Sequence, residues 1–228
     1  EGGDSEGSTI SINAPKGNTS DTAVKDTNIQ INTAGYGIKT TATATATTYS
    51  NVLIGAKLGA SNASTTGYEN VVVGAFSVEG ISNIGRHNTL IGPKVGKYLN
   101  STTSDNGKRN TAVGYLSLGS ASATGTSTTG RQNSCFGSYS GGLITSGNDN
   151  ICIGDRSGYQ ITSGDSNICI GIGAGPKSGQ ATHNNKLFID ASVPQSSGSG
   201  EDSLIYADQS GGSNLLYFNG VVGIHDEA

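Results

Sequence analysis

The chain has 228 residues, of which 36 are glycine, and it contains neither tryptophan nor methionine. Its 13 Lys and Arg and 17 Asp and Glu give a net charge of −4, and no basic cluster is apparent, which argues against nucleic-acid binding. No stretch of about 20 apolar residues is present, so the sequence predicts no membrane insertion. Hydrophobic residues make up only 33%, which would favour disorder unless a repeat organises them.

The first 49 residues are predicted to form an N-terminal linker and a β collar. Residues 1–26 are mostly Gly, Ser, Asp and Thr, a composition typical of a linker. Apolar and polar residues then alternate from Asn28 to Asn32, and Thr alternates with Ala in the run from Thr40 to Thr48. A period of two predicts a strand in each of these segments.

A phrase of the form Asn-x-x-x-Gly recurs seven times within residues 50–182, with successive Asn residues 17 to 23 positions apart. Self-similarity at a period near 20 predicts a solenoid, in which each repeat forms one coil, or rung, stacked on the last. We therefore expect an all-β fold, a parallel β-roll (β-solenoid) of about seven short rungs with small β caps at both ends. The repeat residues are Asn51, Asn70, Asn88, Asn110, Asn133, Asn150 and Asn167, with Gly55, Gly74, Gly92, Gly114, Gly137, Gly154 and Gly171.

When each repeat is numbered from its Asn as position 0, positions +2 and +3 are both apolar. Neighbouring residues of a strand point to opposite faces, so both faces of this strand must avoid water. The smaller +2 residues suit the inside of a narrow coil. A monomer would expose the +3 column as a long apolar stripe, so we expect a homotrimer in which sister chains cover it. The predicted trimer-interface residues are Ile54, Val73, Ile91, Val113, Phe136, Ile153 and Ile170.

The Asn and Gly of the phrase frame the strand. Asn tolerates the left-handed conformation and is expected at a corner, where stacked Asn side chains can form a hydrogen-bonded ladder. Gly at +4 is expected at a turn that needs a positive φ or a close backbone approach. Position +7 is usually small and predicts a second short strand that closes each coil; its small residues are Ser77, Ser117, Ser140, Ser157 and Ala174.

The segment Asn110-Thr-Ala-Val-Gly-Tyr-Leu-Ser117 resembles the Asn-x-Ala-x-Gly-x-x-Ser head repeat of trimeric autotransporter adhesins, which also occurs in fibres of phages and large DNA viruses. Asn133–Ser140 and Asn150–Ser157 match the same pattern with Cys in place of Ala. The resemblance covers about 125 of the 228 residues. It implies a left-handed parallel β-roll, three rolls side by side and attachment to host surfaces. The loops here are longer and more variable, so binding residues of the family cannot be transferred.

Cys135, Cys152 and Cys169 occupy position +2 of consecutive repeats and are expected one rung apart. Metal motifs place their cysteines two to four residues apart, and the three His residues are far from one another in the sequence. We therefore interpret the cysteines as small apolar side chains inside the coil and expect no metal and no cofactor. A metal or redox column is the alternative.

The variable loops carry the candidate binding residues. Tyrosine rings suit the C–H faces of sugars and their hydroxyls can form hydrogen bonds, and loops on a rigid scaffold are the usual place for such groups. The alternative is that these tyrosines cover the roll or its interface. The candidate glycan-binding residues are Tyr98, Tyr115, Tyr139, Tyr159, Arg131 and Arg156.

Residues 183–228 break the period and are predicted to form a C-terminal β cap. Lys186–Asp190, Ser203–Ala207 and Asn214–Phe218 are typical of strands, and Asn219-Gly220 before Val221 predicts a hairpin.

No pattern in the sequence predicts an enzyme. Gly171-Ile-Gly173-Ala-Gly175 is not followed by a helix pattern, as a dinucleotide-binding loop would be, and Asp155 and Asp165 fall at different phases of their coils. The leading hypothesis is a trimeric fibre segment of a virus or phage, on the virion surface or otherwise extracellular, which attaches to the host cell through surface glycan. The alternatives are a bacterial trimeric adhesin head, a purely structural fibre shaft, and a β-solenoid enzyme that degrades polysaccharide.

Overall fold

A computed structural model describes residues 27–31, 50–55, 67–78, 84–101, 106–119, 127–190, 198–211 and 214–220. Within these residues, eleven strands form one sheet whose spatial order follows the chain, and one 3₁₀ turn spans Gly200–Asp202. The strands are β1 (Thr27–Ile31), β2 (Ser50–Ile54), β3 (Asn70–Val73), β4 (Thr89–Ile91), β5 (Thr111–Val113), β6 (Ser134–Phe136), β7 (Ile151–Ile153), β8 (Ile168–Ile170), β9 (Lys186–Ile189), β10 (Ile205–Asp208) and β11 (Leu215–Phe218).

Strands β1 to β9 are parallel, and each pairs with the next at the same repeat position. Asn51 lies opposite Asn70, for example, and Cys135 lies opposite Cys152. Each coil therefore contributes one strand and advances the chain by one strand spacing. The prediction of an all-β solenoid is confirmed.

The parallel ladder extends beyond the seven Asn-x-x-x-Gly phrases at both ends. Strand β1 lies within the segment where a strand was predicted, and it places Asn28 opposite Asn51. At the other end, β9 continues the ladder after β8, and β10 and β11 then follow in antiparallel pairing. The three predicted C-terminal strands are confirmed. Residues 1–26, the Thr40–Thr48 run and Val221 lie outside the described residues.

The inside of the coil is one residue wide at each strand. The side chains at +2 are fully buried from Val72 onwards, as predicted, and they end on Phe188 of β9. Apolar side chains from the turns fill the remaining space, and the small +2 cysteines lie beside the larger Ile144 and Ile161.

The repeat asparagines form the predicted ladder from Asn70 to Asn167. The backbone N–H and Nδ2 of each Asn donate to Oδ1 of the Asn in the preceding rung, over distances of 2.9–3.2 Å. Each Nδ2 also donates to a backbone oxygen of the following rung, at 2.7–3.1 Å. The ladder ends on Lys186, whose backbone N–H donates to Asn167 Oδ1 at 3.1 Å. These buried amides are satisfied only while the rungs stay in register.

The left-handed corner residue is not the Asn, as predicted, but the residue before it. Position −1 has a φ between 56° and 59° in each rung from Asn70 to Asn167 and before Lys186, whereas the ladder asparagines from Asn70 onwards do not have a positive φ. The left-handed turn directs the following Asn side chain into the coil, where the ladder requires it. The −1 residues are Glu69, His87, Arg109, Gln132, Asp149, Ser166 and Asn185.

The predicted second strand around position +7 is wrong for the described rungs, because the chain turns there. Tyr139 and Gly141, at +6 and +8 of one rung, both have a φ of 56°, which interrupts an extended segment. The small residue between them has a different purpose. Its hydroxyl reaches the next strand, since Ser140 Oγ donates to the backbone oxygen of Cys152 at 2.9 Å. Ser140 is fully buried, as is Val95 at the equivalent position of the β4 rung.

The contribution of the asparagine ladder to stability can be tested at Asn150, which is fully buried. Its Nδ2 donates to Asn133 Oδ1 at 3.0 Å and to the Gly164 oxygen at 2.8 Å. Asn150→Asp replaces this donor by an oxygen that faces two acceptors, so we expect the free energy of unfolding to fall by about 2–4 kcal/mol at neutral pH. Denaturant unfolding of the variant and of wild type measures the difference.

The loss should depend on pH. Burial among acceptors raises the folded-state pKa of the introduced carboxyl above its unfolded value of about 3.9. The variant is therefore most stable relative to wild type below about pH 4, and it loses that stability as the pH rises through the folded-state pKa. Asn185→Asp is the control, because Asn185 is exposed. An equal loss at pH 4 and pH 7, or a loss no larger than that of the control, would contradict the ladder's role.

On the side of the sheet that faces away from the coil, position +3 is apolar in every strand from β2 to β11, and position +1 is apolar except for Thr89, Thr111 and Ser134. Positions +1 and +3 point away from the coil, and eight of their apolar side chains in β2 to β8 are 36–43% exposed: Ile54, Val71, Ile91, Phe136, Ile151, Ile153, Ile168 and Ile170. The register carries the +3 row into the cap, where Ile170 pairs with Ile189, Ile189 with Ile205, and Ile205 with Phe218. We call this surface the outer face.

Candidate functional site

Several of the predicted binding residues meet on the turns that follow the strands. Position +6 of each rung donates its backbone N–H to the +5 oxygen of the preceding rung, as in Tyr139 to Tyr115 and Arg156 to Ser138, both at 2.8 Å. This ladder stacks the turns and places their side chains in one row. We call the row Lys94, Tyr115, Tyr139, Arg156 and Tyr159 the tyrosine strip.

The rings of the tyrosine strip contact one another edge to face. Tyr115 and Tyr139 have centroids 5.4 Å apart at 84°, and Tyr139 and Tyr159 have centroids 6.2 Å apart at 70°. A cation lies near each end of the row, with Lys94 Nζ 5.7 Å from the Tyr115 centroid and Arg156 Cζ 5.3 Å from that of Tyr139. The strip therefore combines three aromatic rings with two positive charges over four successive rungs.

The hydroxyl group of Tyr139 remains protonated at physiological pH. Burial raises the pKa of Tyr139, and its hydrogen bond with Tyr115 raises it further. Tyr115 is exposed and Tyr139 and Tyr159 are half-buried, so their hydroxyls can donate to and accept from a ligand in solvent. Arg156 is also close to Asp155, with Nη1 3.5 Å from Oδ2.

Two of the six predicted binding residues lie elsewhere. Tyr98 makes no ring contact with the strip among the described residues, and Lys97 Nζ lies 5.1 Å from its ring centroid. Arg131 lies two residues before Asn133, at the opposite end of the strand from the strip. The structure thus brings together Tyr115, Tyr139, Tyr159 and Arg156, and it separates Tyr98 and Arg131 from them.

Arg131 belongs to a different cluster, which the sequence analysis did not find. Arg86, Lys108 and Arg131 occupy position −2 of three successive rungs, and His87 and Arg109 occupy −1 of two of them. Backbone bonds stack these corners, with Arg109 donating to the Arg86 oxygen and His87 to the Tyr68 oxygen, at 3.0 and 3.1 Å. The expectation that the chain lacks a basic cluster is therefore wrong, because residues about 22 positions apart become neighbours when the rungs stack.

A second glycine column was also missed in the sequence. The column consists of the residues three positions before each Asn from Asn70 to Asn167, namely Gly67, Gly85, Gly107, Gly130, Gly147 and Gly164. The last five provide the backbone oxygens that accept from the asparagine ladder. A Cβ on Gly130 would lie 2.3 Å from the Gly147 oxygen, so the rungs approach too closely there for a side chain. The regular Gly-x-x-Asn spacing was the available signal.

The three stacked cysteines pack in the hydrophobic core of the coil. Cys135, Cys152 and Cys169 are fully buried free thiols stacked in register. Burial raises the pKa of the Cys169 thiol, and its contact with Cys152 raises it further. Thiols buried in an apolar interior without access to solvent are poor metal ligands and poor nucleophiles. Among the described residues, no group of three or more His, Cys, Asp or Glu side chains is arranged to hold a metal ion.

The stacked register, the asparagine ladder and the apolar interior define a β-solenoid repeat protein. No protein-family model, no curated protein and no solved structure matches the chain. In the part of the chain that the structure describes, no helix has the length and apolarity to cross a membrane.

Proposed function

We propose that this chain is one protomer of a trimeric fibre segment that attaches a virus or phage to a host cell surface, with the tyrosine strip as its glycan-binding site. The outer face carries the proposal. Its +3 row is apolar across ten strands, far more extensive than the scattered apolar residues of soluble monomers. A surface of this kind favours burial against further copies of itself.

The composition of the outer face favours association of sister chains along the full roll. Ile151, Ile153, Ile168 and Ile170 form a block of four isoleucines on two neighbouring strands. Rungs β4 and β5 carry Thr89 and Thr111 at +1, so the face is most apolar near the C-terminal end of the roll. Three parallel copies around one axis would bury all three faces at once, which agrees with the resemblance to trimeric adhesin heads.

The strip is placed so that assembly leaves it available. It lies on the turns that follow the strands, whereas the outer face consists of the strand residues at +1 and +3. A trimer would display three strips on a stiff scaffold, and three weak contacts combine by avidity. Aromatic faces suit sugar C–H surfaces, and Lys94 and Arg156 favour sugars that carry a carboxylate or sulfate.

The test is a glycan array with the purified protein, followed by the Tyr139→Ala variant. We expect the wild type to bind acidic glycans and the variant to lose about tenfold or more in apparent affinity, because Tyr139 contacts both other rings and each trimer contains three sites. Tyr98→Ala is the matched control, since Tyr98 lies outside the strip, and it should bind as wild type does.

A structural shaft is the second candidate, and one observation favours it. The rings of the strip already contact each other and two cations, as residues that stabilise stacked turns would. Absence of wild-type binding to any glycan and to whole host cells would select the shaft. Equal binding by wild type and Tyr139→Ala would place the glycan site outside the strip.

A further inference from the structure

The C-terminal cap contains a cavity of about 370 Å³ between the 3₁₀ turn and strands β10 and β11. It lies on the opposite side of the sheet from the outer face, because Tyr206 and Tyr217 alternate along their strands with Ile205 and Phe218 of that face. Assembly through the outer face would therefore leave the cavity open. Its lining residues are Glu201, Asp202, Tyr206, Asp208, Tyr217 and Asn219.

Two stacked tyrosines form the aromatic wall. The Tyr206 and Tyr217 ring centroids are 5.7 Å apart with an interplanar angle of 27°, and Phe188 lies behind Tyr206 at 5.5 Å. Tyr217 is 45% exposed, whereas Tyr206 is only 5% exposed. The Tyr206 hydroxyl nevertheless makes no hydrogen bond within the described part of the chain. Tyr206 is a largely buried residue that lines the cavity, and a hydroxyl there without a partner among the described residues is available to a ligand atom.

The other residues that line the cavity present mainly hydrogen-bond acceptors. Asn219 uses its Nδ2 to donate to the backbone oxygens of Glu201 and Ser203, at 2.6 and 2.7 Å, which leaves its Oδ1 free to accept. Asp208 accepts from Ser210 Oγ at 2.6 Å and pairs with Lys186. Hydrogen bonds from Lys186 and Ser210 hold the Asp208 carboxylate in place, and they also hold its pKa far below the usual range.

The charge of the cavity is negative after its ion pairs are counted. Asp208 pairs with Lys186 and Asp202 pairs with Lys177, while Glu201 has no ion pair among the described residues. Three carboxylates and two ammonium groups leave one net negative charge. Burial raises the pKa of Tyr206 to about 12, and the nearby charges of Asp208 and Glu201 contribute to the shift. The cavity therefore has a negative potential beside its aromatic wall.

We propose that this cavity binds an organic cation, namely an alkylammonium or guanidinium group. Such a group supplies hydrogen-bond donors to Glu201 and to the Asn219 Oδ1, and it is attracted to the face of the exposed Tyr217 ring. The cation can belong to a small amine or to a Lys or Arg side chain of another protein. This site is separate from the tyrosine strip and does not depend on the proposed glycan binding.

The test is a calorimetric titration of the whole protein with n-butylammonium, with methylguanidinium and with a short arginine-containing peptide. The neutral probes n-butanol and glucose are titrated in parallel. We expect saturable binding of the cations that weakens as the ionic strength rises, and no binding of the neutral probes. A tighter peptide identifies a protein partner as the source of the cation, and equal affinities identify a free amine; both results support the site.

Two variants and one control locate the binding. Glu201→Gln removes the unpaired charge and Tyr217→Leu removes the exposed ring, and each should weaken cation binding about tenfold. Asp149→Asn is the matched control, because Asp149 is an exposed carboxylate on the roll, and it should bind as wild type does. In wild type, the stacked rings should also shift the proton resonances of bound n-butylammonium upfield, a readout that does not depend on any variant folding.

The proposal is overturned if the cations do not bind saturably, if n-butanol or glucose binds as tightly as the cations, or if Glu201→Gln and Tyr217→Leu leave binding unchanged.

Discussion

Replacing Gly137 by alanine is expected to prevent the roll from folding. Gly137 has a φ of +134°, and a Cβ on it would lie 2.3 Å from the backbone oxygen and 2.6 Å from the carbonyl carbon of Gly154. The obstacle is the backbone of the next rung, which cannot move without breaking its own contact with Gly171. We expect a loss of more than about 4 kcal/mol, a large part of the roughly 5–15 kcal/mol that stabilises a typical domain.

Circular dichroism and the yield of soluble protein measure this effect. Gly211→Ala is the control, because a Cβ there meets nothing within 4 Å, and we expect it to change stability by less than about 0.5 kcal/mol. Comparable melting temperatures for the two variants would show that the rungs do not approach as closely as the structure indicates.

The double substitution Ile153→Asp and Ile170→Asp is expected to dissociate the proposed trimer. The two side chains are neighbours on the outer face, 43% and 37% exposed in the single chain. Carboxylates at these positions remain hydrated in a monomer, but they would be buried without partners between sister chains, which costs several kcal/mol for each interface. Light scattering coupled to size-exclusion chromatography should show the mass falling from that of a trimer to that of one chain.

Ser163→Asp is the matched control for the added charge. Ser163 is exposed and lies on the turn before Asn167, away from the outer face, so this variant should keep the mass of the wild type. A double variant with an unchanged mass would show that the outer face does not hold the chains together.

The sequence predicted the parts of the fold that the period controls. The Asn-x-x-x-Gly spacing gave the parallel register, and the two apolar columns gave the buried +2 side chains and the outward +3 side chains. It also led to the asparagine ladder, because identical amides stacked one strand apart satisfy each other. The left-handed corner was assigned to the wrong residue, since Asn has the stronger intrinsic preference for that conformation but is needed inside the coil.

The candidate sites were less predictable than the fold. Tyr115 and Tyr139 lie close to the strand, at +5 and +6, where the period still fixes their position, whereas Tyr98 at +10 lies in a turn of variable length. The basic cluster around Arg86, Lys108 and Arg131 was missed because the period was not applied to the charged residues before each Asn. The cap cavity has no repeat signal at all, since it depends on the antiparallel pairing of β10 with β11.

The mass of the native protein in solution tests the central claim most directly, which is that copies of this chain cover the outer face. One chain has a mass of 22.9 kDa, so a trimer has three times that, about 69 kDa. Light scattering or sedimentation equilibrium should give the trimer value at micromolar concentration and below. A stable, soluble species of 22.9 kDa at all concentrations would contradict the account.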